Sequence, residues 1–488
     1  MTTSTISEAV APGATVPLII GNKDVTTSKT FDVNNPGKGS VEHQCSAAVV
    51  EDATLAIQSA EAAFPAWSST KPATRRDILL KTADIFLARK DEFVGYMCEE
   101  TGSQAEFAEF ILMLGVNLLK DVAGKVSGIE ATSPTLVQEG TGALVYKQPY
   151  GVVLGIAPWN APYILGTRAV ALPLAAGNTT ILKGSELSPK CFWAIGDAFR
   201  QAGLPDGCLN VIYSQPSDAP EVTTALIAHP AVRKLSFTGS TMIGRKVALI
   251  AAQHIKPVIL ELGGKAPTVI LDDADIEKAA LGATLGSFIH TGQVCMCTER
   301  IIVHRNIAEK FRDALKATIN NVLGGPSTQL VAINPAAISK NKELVQDAIS
   351  KGGKVLIGDL DMQATSDTRM GAVVVENVTE DMDIYKTESF GPTASLFVVD
   401  SDEEAIKLAN DTEYGLSASV YTESLARGLN VAKKIDSGAV HINSMTVHDE
   451  AALPHGGVKS SGYGRFGTNM LDEFLWTKSV TWIDYGHI

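Results

Sequence analysis

The chain has 488 residues, 45% of them hydrophobic and 19% charged, enough for two to four domains with more than one sizeable core. Its 41 basic and 54 acidic residues give a net charge of −13 with no basic stripe, which argues against nucleic-acid binding and favours solubility. Six cysteines are too sparse for a disulfide scaffold, and no His/Cys cluster has zinc-ligand spacing, so no metal is expected.

In chain order, Met1 to Gly13 is small, polar and acidic, without the basic flank and apolar core of a secretory signal. Short strands are expected at Pro17 to Ile20 and Thr30 to Asn34. Helical periodicity follows in Ala53 to Phe64, Thr74 to Arg89, Lys90 to Gly102 and Ala105 to Gly128. Between Thr132 and Tyr150 the pattern turns to strand alternation around Ala143 to Tyr146. The most apolar stretch, Gly151 to Ala176, is interrupted by Pro158, Asn160, Pro162, Arg168 and Pro173, so no membrane span is expected and the cytoplasm is the default location.

From Gly151 strands and helices alternate. Strands are predicted at Val152 to Ala157, Thr179 to Lys183, Cys208 to Tyr213 and Val232 to Phe237, with helices at Tyr163 to Ala176, Pro189 to Ala202 and Glu221 to Ala228 between them. Such alternation predicts a parallel sheet wrapped by helices. A second alternating run, Thr268 to Leu271 onward to Val440 to Ile442, predicts a second α/β domain. The tail, Lys478 to Tyr485, reads as a strand without a neighbour in chain order, which suggests pairing elsewhere, with another subunit as one candidate.

The strand Val232 to Phe237 runs into Thr238-Gly239-Ser240-Thr241-Met242-Ile243-Gly244 and then a helix. Free N–H groups at a helix start attract phosphate, although this Gly-x₄-Gly spacing lacks the three-glycine dinucleotide fingerprint. At another strand end, Lys183 and Glu186 could hold a ribose, or form a surface ion pair. Cys295, in Gly292-Gln293-Val294-Cys295, and Glu261, in Glu261-Leu262-Gly263-Gly264-Lys265, suggest a nucleophilic thiol and a base for covalent catalysis.

Together with Pro158-Trp159-Asn160, Phe237-Thr238-Gly239-Ser240, Glu388-Ser389-Phe390-Gly391-Pro392 and Gly456-Gly457, these motifs occur in the order seen in NAD(P)-dependent aldehyde dehydrogenases, which the chain resembles over nearly its whole length. The resemblance implies an aldehyde dehydrogenase-like α/β fold with two doubly wound domains. Residues 1–131 and 150–262 would bind the dinucleotide, 263–468 would form the catalytic domain, and 132–149 with 469–488 a small β oligomerisation element. It also implies a homodimer or homotetramer. By the same resemblance Cys295 attacks the aldehyde, Asn160 and the Cys295 N–H stabilise the oxyanion, and Glu261 activates water. Trp159, Lys183, Glu186, Thr238, Gly239, Ser240, Gly244, Leu262, Glu388 and Phe390 would hold NAD, with NADP possible.

The substrate side departs from the commonest pattern: Ala161 leaves room, and Arg168 stands where tryptophan is frequent. Arg168 could clamp a carboxylate or phenolate, or form a structural ion pair. Val294 and His455 would also line the substrate site, His455 by donating to a ring hydroxyl or by packing. Cys295 to Val303 and Val447-His448-Asp449-Glu450 look like salicylaldehyde, vanillin and benzaldehyde dehydrogenases. Aromatic aldehydes are therefore favoured over the alternatives, succinic semialdehyde oxidation, coenzyme A acylation or a catalytically silent homologue. Cys297 either fills a small site or closes a regulatory disulfide with Cys295.

Overall fold

The computed structural model describes residues 14–325 and 328–483. The expectations for Met1 to Gly13 and for Asp484 and Tyr485 of the tail lie outside the described residues. Its centre is two sheets. The first has eight strands in the order Lys23–Val25, Leu18–Ile20, Leu209–Ile212, Thr179–Lys183, Val152–Ile156, Val232–Thr238, Val258–Glu261 and Gly462–Tyr463. The five from Leu209–Ile212 to Val258–Glu261 are parallel, and the flanking strands run antiparallel. Chain order reverses between Val152–Ile156 and Val232–Thr238, which opens a ligand crevice at their carboxyl ends.

The second sheet has seven strands in the order Lys354–Ile357, Val373–Glu376, Thr393–Val399, Thr298–His304, Ala266–Ile270, Ser417–Tyr421 and Ala439–Ile442; only Lys354–Ile357 is antiparallel. Successive residues face opposite sides, so Val269 and Ile302 enter one core while Ile270, Ile301 and Val303 enter another. Both faces are buried, which is why these strands read as near-continuous apolar runs.

The helix Ala105–Lys125 buries Phe107, Ile111, Leu112, Leu118 and Leu119 on one stripe and packs against Pro162–Ala175. Gly115 permits that approach, since a Cβ there would press on the Tyr163 carbonyl. The tail strand Leu475–Ile483 pairs in unbroken antiparallel register with Thr141–Pro149 of its own chain, from Leu475↔Pro149 to Ile483↔Thr141. The partner expected outside chain order is thus found within this chain rather than on another subunit: the two segments are remote in sequence but complementary in length and alternation. The strands that escaped the sequence reading include Lys23–Val25, Ser40–Ser46, Val258–Glu261 and Gly462–Tyr463. Two are only two or three residues long, and Ser-Val-Glu-His-Gln-Cys-Ser is too polar to stand out.

The buried Asn178 ties these pieces together. Its Oδ1 accepts from Gly151 N–H at 3.1 Å, and its Nδ2 donates to the carbonyls of Pro173 at 3.2 Å and Phe474 at 2.9 Å. Asn178→Ala removes this partner from the Gly151 N–H and the Phe474 carbonyl, while the Pro173 carbonyl keeps the backbone N–H of residue 178, and is expected to cost about 2–3 kcal/mol, read as a lower midpoint in denaturant unfolding.

Candidate active site

Carboxyl ends of the first sheet meet amino ends of the second. Trp159 and Asn160 follow Val152–Ile156, Gly239 and Ser240 follow Val232–Thr238, and Glu261 closes Val258–Glu261. Opposite them, Cys295 precedes Thr298–His304, Lys265 precedes Ala266–Ile270, and Glu388 and Phe390 precede Thr393–Val399. The loop before Cys295 holds His290 and Thr291 at φ of 48° and 62°, a left-handed backbone that costs energy in non-glycine residues.

Glu261 is 1% exposed, and all its partners matter for that reason. Its Oε1 lies 3.1 Å from His455 Nε2 and 3.9 Å from the Cys295 thiol. Its Oε2 accepts from Arg168 Nη1 at 3.0 Å and from the Thr238 hydroxyl at 3.5 Å. Burial pushes the carboxyl up, but His455 and Arg168 outweigh it and bring the pKa down to about 2. Burial first, then the Glu261 and Glu388 charges, push the Cys295 thiol well above its usual range. The resting pair is therefore thiol and carboxylate. Asn160 Nδ2 donates to the Gln293 carbonyl at 2.9 Å, leaving its second N–H for a ligand.

On one side of Cys295 lies a cavity of about 270 Å³, lined by Trp159, Asn160, Thr238, Gly239, Ser240, Leu262, Glu388 and Phe390 among others. It fits a dinucleotide. Ser240 caps the helix Thr241–Gln253 by accepting from Ile243 N–H at 3.4 Å, and the helix start presents further N–H groups to an anion. Glu388 accepts from Gly264 N–H at 2.8 Å, and a Cβ at Gly263 would crowd its oxygens. Trp159 and Phe390 meet edge to face at 6.0 Å. Three expected cofactor residues are absent from this lining. Gly244 instead lets its helix pack on Leu262, and Lys183 is buried at the end of its strand. Glu186 borders a separate cavity near Asn334.

On the other side an apolar tunnel passes Phe107, Phe110, Ile164, Leu165 and Val294 before reaching Arg168, Asp449 and His455 at its mouth. Of the two readings of Arg168, the geometry matches the structural ion pair. Its guanidinium already engages two carboxylates, Glu261 and Asp449, and lies 5.3 Å from the Phe466 ring centre, so it is an internal ion pair rather than a vacant anion clamp. His455, expected to face a ring hydroxyl, pairs with Glu261. Asp449 had stood out only as part of a local word, and nothing in its spacing marked it as a partner of Arg168. Cys297 is a buried free thiol, as suits a small filling residue.

Glu299 was also missed. This 5%-exposed carboxylate accepts from Ser389 N–H at 2.9 Å and Phe390 N–H at 3.2 Å, and pairs with Lys265 at 2.5 Å. It holds Phe390 at φ 49° beside Glu388.

The model of the aldehyde dehydrogenase family matches residues 24–480. This chain belongs to that family. It is 44% identical over 460 residues to vanillin dehydrogenase of Pseudomonas sp. (strain HR199 / DSM 7063), covering 93% of this chain and 94% of that protein. It is 36% identical to mitochondrial succinate-semialdehyde dehydrogenase of Arabidopsis thaliana, covering 95% of this chain and 88% of the relative. The crystal structure of a salicylaldehyde dehydrogenase from Pseudomonas putida G7 complexed with salicylaldehyde superposes with a TM-score of 0.92, at 37% identity, covering 97% of this chain and 99% of that one. The protein is thus an NAD(P)-dependent aldehyde dehydrogenase with the fold expected from its sequence.

Burial, followed by the Glu299 charge, raises Glu388 to about 7. Below that pH Glu388 is protonated, and in the ribose-binding role that the sequence resemblance implies it would have less capacity to accept from hydroxyls. KM for NAD is expected to rise up to about tenfold between pH 8 and pH 6, while Glu388→Gln shows a high KM without this pH dependence; initial rates at varied NAD check both.

Proposed function

We propose that this enzyme oxidises an aromatic aldehyde of the salicylaldehyde, vanillin or benzaldehyde type to its acid, with NAD as the favoured dinucleotide. The observation that carries the chemistry is the Cys295 thiol 3.9 Å from the Glu261 carboxylate, between the dinucleotide cavity and the apolar tunnel.

Glu261 takes the thiol proton and Cys295 adds to the aldehyde carbon. The second N–H of Asn160 meets the developing oxyanion, an interaction typically worth about 3 kcal/mol. When bound, the dinucleotide supplies the hydride acceptor that turns the thiohemiacetal into a thioester. Trp159, Phe390 and Glu388 orient it. Glu261 then deprotonates the water that releases the acid.

The tunnel chemistry supports an aromatic ring, with Phe107, Phe110 and Ile164 as its walls. The charges at its end argue against a semialdehyde. Arg168 and His455 are matched by Glu261 and Asp449, so neither is free for a substrate carboxylate, and Lys120 at the mouth is accompanied by Asp121 and Glu450. The relatives that act on vanillin and salicylaldehyde point the same way. The sequence resemblance, which assigns Lys183 and Glu186 to the adenosine ribose, favours NAD, as the Glu186 carboxylate would disfavour a 2′-phosphate.

The ribbon of Thr141–Pro149 and Leu475–Ile483 exposes Tyr146, Trp476, Val480, Trp482 and Ile483, and we assign it to subunit contact in a homodimer or homotetramer.

Cys295→Ala is expected to lower kcat more than about a thousandfold while NAD still binds; turnover near that of the parent enzyme overturns the assignment. In a panel read at the absorbance of reduced nicotinamide, kcat/KM for salicylaldehyde or vanillin is expected to exceed that for succinic semialdehyde. A tenfold advantage for the semialdehyde overturns the aromatic preference.

A further inference from the structure

We propose that His455 is the proton carrier beyond Glu261: in its neutral form it takes the proton of the hydrolytic water from Glu261 and delivers it to solvent at the tunnel mouth. This rests on the roles given above to Cys295 and Glu261.

Geometry supplies the route. Glu261 Oε1, the oxygen nearest Cys295, is also the one 3.1 Å from His455 Nε2. The imidazole Nδ1 lies 3.9 Å from Asp449 Oδ1, and His455 and Asp449 both border the cavity of about 310 Å³ at the mouth. His455 N–H and C=O are each bonded to Phe466 at 2.7 Å, which holds the ring between the base and the opening. The other carboxylate oxygen leads only to Arg168, which cannot give up a proton, and to the Thr238 hydroxyl.

Charged groups face His455 from every side. Glu261 comes from the end of Val258–Glu261, Arg168 from Pro162–Ala175, Asp449 from the loop that follows Ala439–Ile442, and His441 from that strand. Lys120, Asp121 and Glu450 border the same mouth. Burial favours neutral His455, but Glu261 and Asp449 outweigh it and hold its pKa above the ordinary 6.5. While cationic, His455 already carries its proton, and Glu261 is kept a weak base.

In the step itself, water oxygen bonds to the thioester carbon and the carbon–sulfur bond breaks, with its electron pair leaving on Cys295. The water proton passes to Glu261 Oε1 and then to neutral Nε2. The imidazolium returns that proton to solvent and the second water proton, now on the acid, goes to Cys295, leaving carboxylate product, thiol, and Glu261 and His455 in their starting charge states.

Hydrolysis of p-nitrophenyl acetate by the full-length enzyme without dinucleotide tests this independently of the aldehyde. The p-nitrophenolate burst reports acylation and the steady rate deacylation. The parent steady rate is expected to rise with pH through one ionisation above 6.5. In His455→Gln that limb disappears and the steady rate at pH 8 falls on the order of a hundredfold, while the burst is preserved. His455→Ala should recover several-fold with added imidazole. Asp449→Asn, which keeps the carrier, should move the limb to lower pH. An unchanged limb in His455→Gln and Asp449→Asn overturns the carrier, as does a burst slowed as much as the steady rate. Parent-like ester hydrolysis by Cys295→Ala overturns the thioester reading itself.

Discussion

A carboxylate buried as deeply as Glu261 has lost its water, and a several kcal/mol desolvation penalty must be met by fixed donors. Those donors come from separate parts of the chain: Arg168 from a helix, Thr238 from a neighbouring strand end, His455 from a late loop and Cys295 from the turn before the second sheet. Satisfying one side chain thus brings together the nucleophile, the tunnel mouth and the crevice of the first sheet. Arg168 extends the same network to Asp449, so the charge that stabilises the base also sets the polarity at the far end of the tunnel.

A second buried carboxylate performs the matching task for the dinucleotide side. Glu299 gathers the N–H groups of Ser389 and Phe390 and the Lys265 ammonium, and Lys265 also donates to the Thr387 carbonyl at 2.8 Å. The turn carrying Glu388 and Phe390 is fixed by charge-assisted bonds, which offset the left-handed backbone at Phe390. Glycines allow the remaining closeness: a Cβ at Gly264 would collide with the Cys295 carbonyl. The consequence is that Cys295 lies between the cavity lined by Glu388 and Phe390 and the apolar tunnel.

Balanced charge gives this site its character. Arg168 and His455 face the carboxylates of Glu261 and Asp449 between Cys295 and the tunnel mouth, and the tunnel walls are apolar. Basicity at Glu261 is held low by the same neighbours, His455 and Arg168.

Much of this was legible from residue order alone. The expected strand Thr179 to Lys183 is the one observed, and helices such as Lys90–Thr101 end within a residue of expectation, because local periodicity and glycine or proline punctuation govern them. Cys295, Glu261, Asn160, Glu388 and Phe390 were legible for a similar reason: each sits in a short stretch whose neighbours also face the site. What tertiary structure alone decided is which distant charges meet. Arg168 and Asp449 are 281 residues apart, and Glu261 and His455 are 194 apart. No pattern within either segment encodes these pairs, so Arg168 could be read equally as a clamp or a brace. Packing of the helix Pro162–Ala175 against the loop bearing Asp449 and His455 made it a brace, because a buried guanidinium takes the nearest carboxylates.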